Sequence, residues 1–101
     1  MELPQLTGAQ KTRLRGLGQT LEPSLKIGQA GVTHAVTREL QRLLEAHELV
    51  KVRFIGADRD VRATLAATLA TEVPCIHAGS VGSTALFYRP PDDSKRRQIE
   101  L

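Results

Sequence analysis

Between residues 33 and 45 the chain carries a stripe that an amphipathic helix can use. Val36, Leu40, Leu43 and Leu44 fall at i, i+4, i+7 and i+8, with Arg38, Gln41, Arg42 and Glu45 on the opposite side. Thr33 is placed to cap its start. Such a helix needs an apolar surface beneath it, and the flanking segments supply one. After it, Leu49 to Ile55 alternates Val50, Val52 and Phe54 against Lys51 and Arg53, the period of a half-buried strand. Before it, Pro23 favours an extended entry into the short strand Ser24-Leu25-Lys26-Ile27. Strand, helix and strand in this order imply a right-handed crossover joining a parallel pair.

The remaining segments extend this unit. Thr7 followed by Gln10 matches a capping box, and Leu14, Leu17 and Leu21 recur at roughly helical spacing, predicting a helix over 7–18 that Gly18 can stop. Gly56 punctuates the second strand. Asp58 or Asp60 can then cap a third helix whose apolar stripe is Val61, Leu65 and Leu69. Residues 75–81 and 84–89 read as two strands around Gly82-Ser83, a connection suited to a hairpin. The expected order is αβαβαββ, an α/β (α+β) fold with a four-stranded mixed sheet. With 101 residues there is room for one core, assigned to 1–90; residues 91–101 are expected to form a polar, flexible tail carrying Lys95-Arg96-Arg97.

Function classes narrow by composition. At 41% hydrophobic and 25% charged the chain falls among soluble globular proteins. The amino end shows no secretory signal, no segment approaches the length of a membrane span, and Cys75 is a single cysteine. A cytoplasmic setting without membrane contact is expected. The net charge of +3 favours an anionic partner, whereas the aromatic content of 3% (Phe54, Phe87 and Tyr88) argues against reading single-stranded bases by stacking. Contact should therefore be mostly to a nucleic-acid backbone.

One motif stands where such contact is feasible. Gly28-Gln29-Ala30-Gly31 lies between a strand and the strongest helix, where missing Cβ atoms allow a tight turn and close approach of phosphate. The helix start offers unpaired N–H groups, and Lys26 is nearby. A comparable GXXG loop clamps nucleic-acid backbone in KH domains. The competing explanation is a strand-to-helix turn in which glycine serves geometry alone. By alternation Lys26, Lys51 and Arg53 point away from the apolar strand face and form one basic sheet face, or else ordinary solubilising charges. Lys11, Arg13 and Arg15 read by default as a solvated helix face.

Three blocks carry a family resemblance: Leu25-Lys26-Ile27-Gly28-Gln29-Ala30-Gly31-Val32-Thr33, His47-Glu48-Leu49-Val50-Lys51-Val52 and Leu86-Phe87-Tyr88-Arg89-Pro90. In order and spacing they resemble the CRM domain, named for chloroplast RNA splicing and ribosome maturation, and most closely its stand-alone bacterial form, the YhbY-like proteins. The resemblance covers residues 6–90. It implies a fold akin to the carboxy-terminal domain of translation initiation factor three, RNA binding through the GxxG loop and a basic surface, and association with rRNA in precursors of the large ribosomal subunit. It also favours Arg89 as an RNA contact over a strand-end ion-pair partner. Gln29-Ala30 and Ser83 replace more basic or amide-rich residues of the family and should weaken phosphate contact. Gly79 predicts an irregular strand.

The candidate RNA-binding residues are thus Lys26, Gly28, Gln29, Ala30, Gly31, Lys51, Arg53 and Arg89. Cys75 and His77 share a strand face by period and could mimic a nucleophile and base, but a buried structural cysteine is the commoner arrangement. His34, His47 and His77 lack metal-ligand spacing, and no phosphate-loop lysine motif is present. No enzyme, metal, cofactor or small-molecule substrate is expected. The competing class is a protein-interaction module that docks on a ribosomal protein or an assembly GTPase.

Overall fold

The helix starts are fixed by the caps that the residue types suggest. A computed structural model of the chain describes residues 3–101. Helix α1 (Gly8–Gly18) begins with a complete capping box, Thr7 Oγ1 accepting from Gln10 N at 3.1 Å and Thr7 N donating to Gln10 Oε1 at 2.9 Å. Thr33 caps α2 (His34–Ala46), its Oγ1 accepting from Val36 N at 3.2 Å. Asp58, not Asp60, caps α3 (Arg59–Glu72), its Oδ1 accepting from Val61 N at 2.9 Å.

Strands β1 (Leu25–Ile27), β2 (Leu49–Phe54), β3 (Ile76–Val81) and β4 (Thr84–Tyr88) complete the αβαβαββ order. They form one mixed sheet in the order β1-β2-β4-β3, with β1 and β2 parallel and the other pairs antiparallel. Strand β3 therefore runs in the same direction as β1 and β2. As Gly79 led us to expect, β3 is irregular: its register against β4 shifts between His77 and Gly79.

Side-chain alternation splits the core in two. On one face Val50, Val52, Phe54, Ala85 and Phe87 pack with Leu40, Leu43 and Leu44 of α2 and with Ala66 and Leu69 of α3. On the other, Leu49, Leu86, Tyr88 and Ala78 pack with Leu14 of α1. Burial of these side chains is the main stabilising term.

Three expectations are corrected. Val61 is 46% exposed, whereas Ala66, Leu69 and Val73 are buried. An i, i+4 row slips by roughly 40° per step around a 3.6-residue helix, so over two steps Val61 rotates off the face defined by Leu69. Of the expected α1 stripe only Leu14 is buried: Leu17 is exposed within the helix, and Leu21 is exposed beyond its end at Gly18. The segment after Pro90, expected as a loose tail, lies against the body. Buried Glu48 accepts from Gln98 N through Oε1 and from Ile99 N through Oε2 at 3.1 Å, Arg13 Nε donates to Glu100 O at 2.7 Å, and Ile99 packs on the α1-side core.

Candidate nucleic-acid interface

The GxxG segment is a tight turn, Gly31 N donating to Gly28 O at 3.0 Å. Its two glycines differ in what they require. Gly31 has φ +70, the left-handed region in which a Cβ is strained. Gly28 does not have positive φ, and a Cβ built on it would meet nothing within 4 Å. Turn geometry thus accounts for Gly31 and leaves Gly28 unexplained by folding. Gln29 and Ala30 are exposed at the turn, directly before the cap of α2.

Beside this turn the sheet presents a row of four Cα partners. Lys26 pairs with Arg53, Arg53 with Thr84, and Thr84 with Val81, one residue from each strand. The row lies on the α1 side of the sheet. Lys26, Arg53 and Val81 are exposed, so α1 leaves this end of the face open. At a strand spacing of about 4.8 Å the Lys26 and Arg53 stems stand close enough to address one phosphate or two successive ones. Within α1 itself, Lys11, Arg13 and Arg15 are exposed and the helix carries no carboxylate. The Arg15 stem crosses Gly79, at 2.7 Å from where a Cβ would stand, so the side chain read as a solvated charge is laid over β3.

Two members of the expected basic set lie elsewhere. Lys51 shares its face with Arg53, but its Nζ donates to Gly18 O at 3.2 Å and Leu21 O at 3.3 Å. It adds a charged donor to Gly18 O, which also accepts from Leu21 N, and to Leu21 O beyond the end of α1, where the helix dipole favours a cation. Arg89 is half-buried on the opposite side of the sheet. Its Nη1 donates to Gln41 Oε1 at 3.0 Å and its backbone N to Glu48 O at 3.0 Å, tying it to the start of β2. Five residues of strand separate Glu48 from Arg53, about 17 Å. The structure therefore brings together Lys26, Arg53 and the turn, and places Lys51 and Arg89 apart from them in intramolecular hydrogen bonds.

The sequence reading missed a second basic group. The turn of β3 into β4 and the start of α3 lie at the same end of the sheet as the GxxG turn, since Phe54 N donates to Ser83 O at 2.8 Å and Ile55 N to Ile27 O at 2.8 Å. There Arg59 and Arg62 border a cleft with His77 and Ser80. An arginine at i and i+3 near a helix start was the available signal, but helix periodicity alone does not say which strand lies opposite.

The Cys75 and His77 pair does not make a nucleophilic site. Cys75 is 4% exposed within the α2/α3 core, and burial pushes its thiol up to about 12, so it is protonated at neutral pH. His77 stacks on Phe87 with ring centroids 5.4 Å apart, and its Nε2 is 2.8 Å from Ser80 Oγ. Burial is the main cause lowering its pKa, which favours the neutral ring.

Comparison with known proteins identifies this architecture. The profile of the CRS1 / YhbY (CRM) domain matches residues 6–89. A Haemophilus influenzae "RNA-binding protein" is 32% identical over 90 residues, covering 89% of this chain and 91% of that one. A "probable RNA-binding protein" of Pseudomonas aeruginosa is 38% identical over 84 residues, covering 83% and 81%. The solution structure of a Staphylococcus aureus protein, described there as a candidate RNA-binding protein, superposes with a TM-score of 0.81 at 29% identity, covering 95% of this chain and all of that one. The chain belongs to the CRS1 / YhbY (CRM) domain family.

Proposed function

We propose that this protein is a non-enzymatic, cytoplasmic RNA-binding protein that associates with rRNA in precursors of the large ribosomal subunit and assists its assembly. The observation that carries the reading is Gly28. It is a glycine that neither backbone strain nor packing requires, beside a turn that closes on Gly31 and beside the exposed pair Lys26 and Arg53. An open backbone next to two cations suits a phosphate, which needs close approach and positive charge more than it needs side-chain shape. The RNA-binding names of the relatives support the same chemistry. Sparse aromatic side chains favour backbone recognition of folded RNA over base stacking.

The test is a titration of the full chain with rRNA fragments across a range of salt. Wild type is compared with Lys26→Gln/Arg53→Gln and with the charge-matched Lys95→Gln/Arg96→Gln. Each phosphate contact removed flattens the log-affinity against log-salt slope by about 0.7–0.9. The sheet-end variant should lose close to two such contacts and the tail variant fewer. Equal slopes in the two variants would reduce recognition to net charge. Absence of RNA binding by wild type, together with capture of ribosomal proteins or an assembly GTPase, would replace the reading with protein docking.

A further inference from the structure

The sheet end holds more open backbone than the GxxG turn alone. Among the described residues the three with positive φ are Gly31, Gly56 and Gly82, one in each of the connections β1 to α2, β2 to α3 and β3 to β4. Gly28, Gly56 and Gly82 each leave nothing within 4 Å of an added Cβ. The rim from β1 to β3, roughly 14 Å at ordinary strand spacing, is therefore low in side chains. Apolar Ile55 and Val81, 52% and 65% exposed, stand along it.

At the β3 end of this rim is the cleft between the first turn of α3 and the β3–β4 turn, about 320 Å³ in volume. Phe54 and Ala63 form its apolar wall, and Arg59, Arg62, His77 and Ser80 supply polar groups. Arg62 is held in place, its Nη1 donating to Ala57 O at 2.8 Å, while its other N–H groups are available for a ligand. His77 is fixed by the Phe87 stack and by Ser80 Oγ. The local charge balance is positive: the cleft itself carries Arg59 and Arg62 beside Asp58 and Asp60, with Asp58 engaged as the cap, and Lys26 and Arg53 stand at the same rim on the α1 side of the sheet.

We infer that the cleft of Arg59, Arg62, His77 and Ser80 is a second nucleotide site, taking one ribose-phosphate unit of an RNA strand that crosses the glycine-lined rim from the GxxG turn. The inference rests on the RNA-binding reading and adds to it a place and a direction for the strand. The two guanidiniums take the phosphate, which suits their planar fork of donors. The Ser80 hydroxyl, oriented by His77 Nε2 and keeping further hydrogen-bonding capacity, faces the ribose 2′-hydroxyl.

Titration of the isotopically labelled full chain with a uridine trinucleotide, followed by amide and imidazole resonances, tests this. In wild type both Gln29–Thr33 and the group around His77 and Ser80 should shift. Arg59→Gln/Ser80→Ala should remove the cleft shifts and keep the turn shifts; Gly28→Ala should do the reverse. On a longer single strand the cleft variant should lose roughly tenfold in affinity and about one phosphate contact in salt slope. Shifts confined to the turn, or equal affinity of the cleft variant for the longer strand, would overturn the second site and leave RNA binding standing. Silence at both places in wild type, with no affinity for the longer strand, would remove the RNA-binding reading itself. Arg59 and Ser80 are exposed, so loss of fold is not expected, and the unchanged turn resonances report it directly.

Discussion

Replacing the two loop glycines one at a time separates their roles, because the backbone asks for one and not the other. In Gly31→Ala the new Cβ would stand 3.7 Å from Leu65 Cδ2, an ordinary contact, so the expected cost is conformational. A non-glycine residue at φ +70 costs about 1–2 kcal/mol. In a domain of this size that is a loss of roughly 4–16 °C in Tm. In Gly28→Ala the methyl meets open space without positive φ, and the substitution also narrows the unfolded ensemble. Stability should hold or rise by about 0.4–1 kcal/mol. Binding should then follow a different order from stability. The Gly28 methyl projects where a phosphate would approach, so this variant should keep its fold and lose RNA affinity, with the salt slope flatter by about 0.7–0.9. Denaturant melts and RNA titrations on the same samples give both quantities. A stable Gly28→Ala protein with unchanged affinity and slope would refute the turn as a phosphate seat. A strongly destabilised one would show that the open space at Gly28 is misjudged.

Other outcomes follow from groups that the interface does not use. Lys51→Gln should destabilise by about 1–3 kcal/mol, by removing a charged donor from the Gly18 and Leu21 carbonyls, and should leave the RNA salt slope nearly unchanged; a flattened slope with normal stability would return Lys51 to the interface. Cys75, with its thiol pushed up by burial to about 12 from an ordinary 9.0, should carry roughly a thousandfold less thiolate than a free cysteine near neutral pH and resist alkylation until the chain unfolds. Rapid labelling of native protein would contradict its burial. His77 has its pKa lowered in the fold, first by burial, so the unfolded chain binds the proton more readily. Stability should fall as pH drops below 6.5, and His77→Gln should flatten that dependence; an unchanged pH profile would assign it to other groups.

The fold was legible because the signals were local and agreed with one another. Alternation in Leu49–Ile55, the stripe of α2 and the three caps each depend on neighbours within a turn or a strand. The candidate site was legible only in part. Alternation correctly placed Lys26, Lys51 and Arg53 on one face, but it cannot report what covers that face. Helix α1 lies over the Lys51 row and converts that lysine into a cap, while the Lys26 and Arg53 row next to it stays open. For Arg89 the separation from that row has another origin. Its neighbours in sequence, Tyr88 and Pro90, say nothing of strand direction, and the antiparallel pairing of β4 with β2 carries it to the end of the sheet opposite the turn. The docked tail was illegible for a similar reason, since its partner Glu48 is fifty residues away in sequence.

The strand order also explains why one end of the sheet collects the candidate groups. Strands β1, β2 and β3 run the same way, so their carboxyl ends, and the connections that follow them, meet at a single rim. The chain must turn beyond these strand ends, and turning brings glycines and helix starts together. Here the three turns supply Gly28, Gly56 and Gly82 without side chains in the way, and the helix starts follow immediately at His34 and Arg59. The opposite end of the sheet is arranged differently. Arg89 is hydrogen-bonded to Gln41 and Glu48, and Glu48 is occupied by the tail. Exposed Lys26, Arg53 and Arg59 share the rim with these glycines because of strand direction, so it is topology rather than total charge that brings the candidate groups to one end.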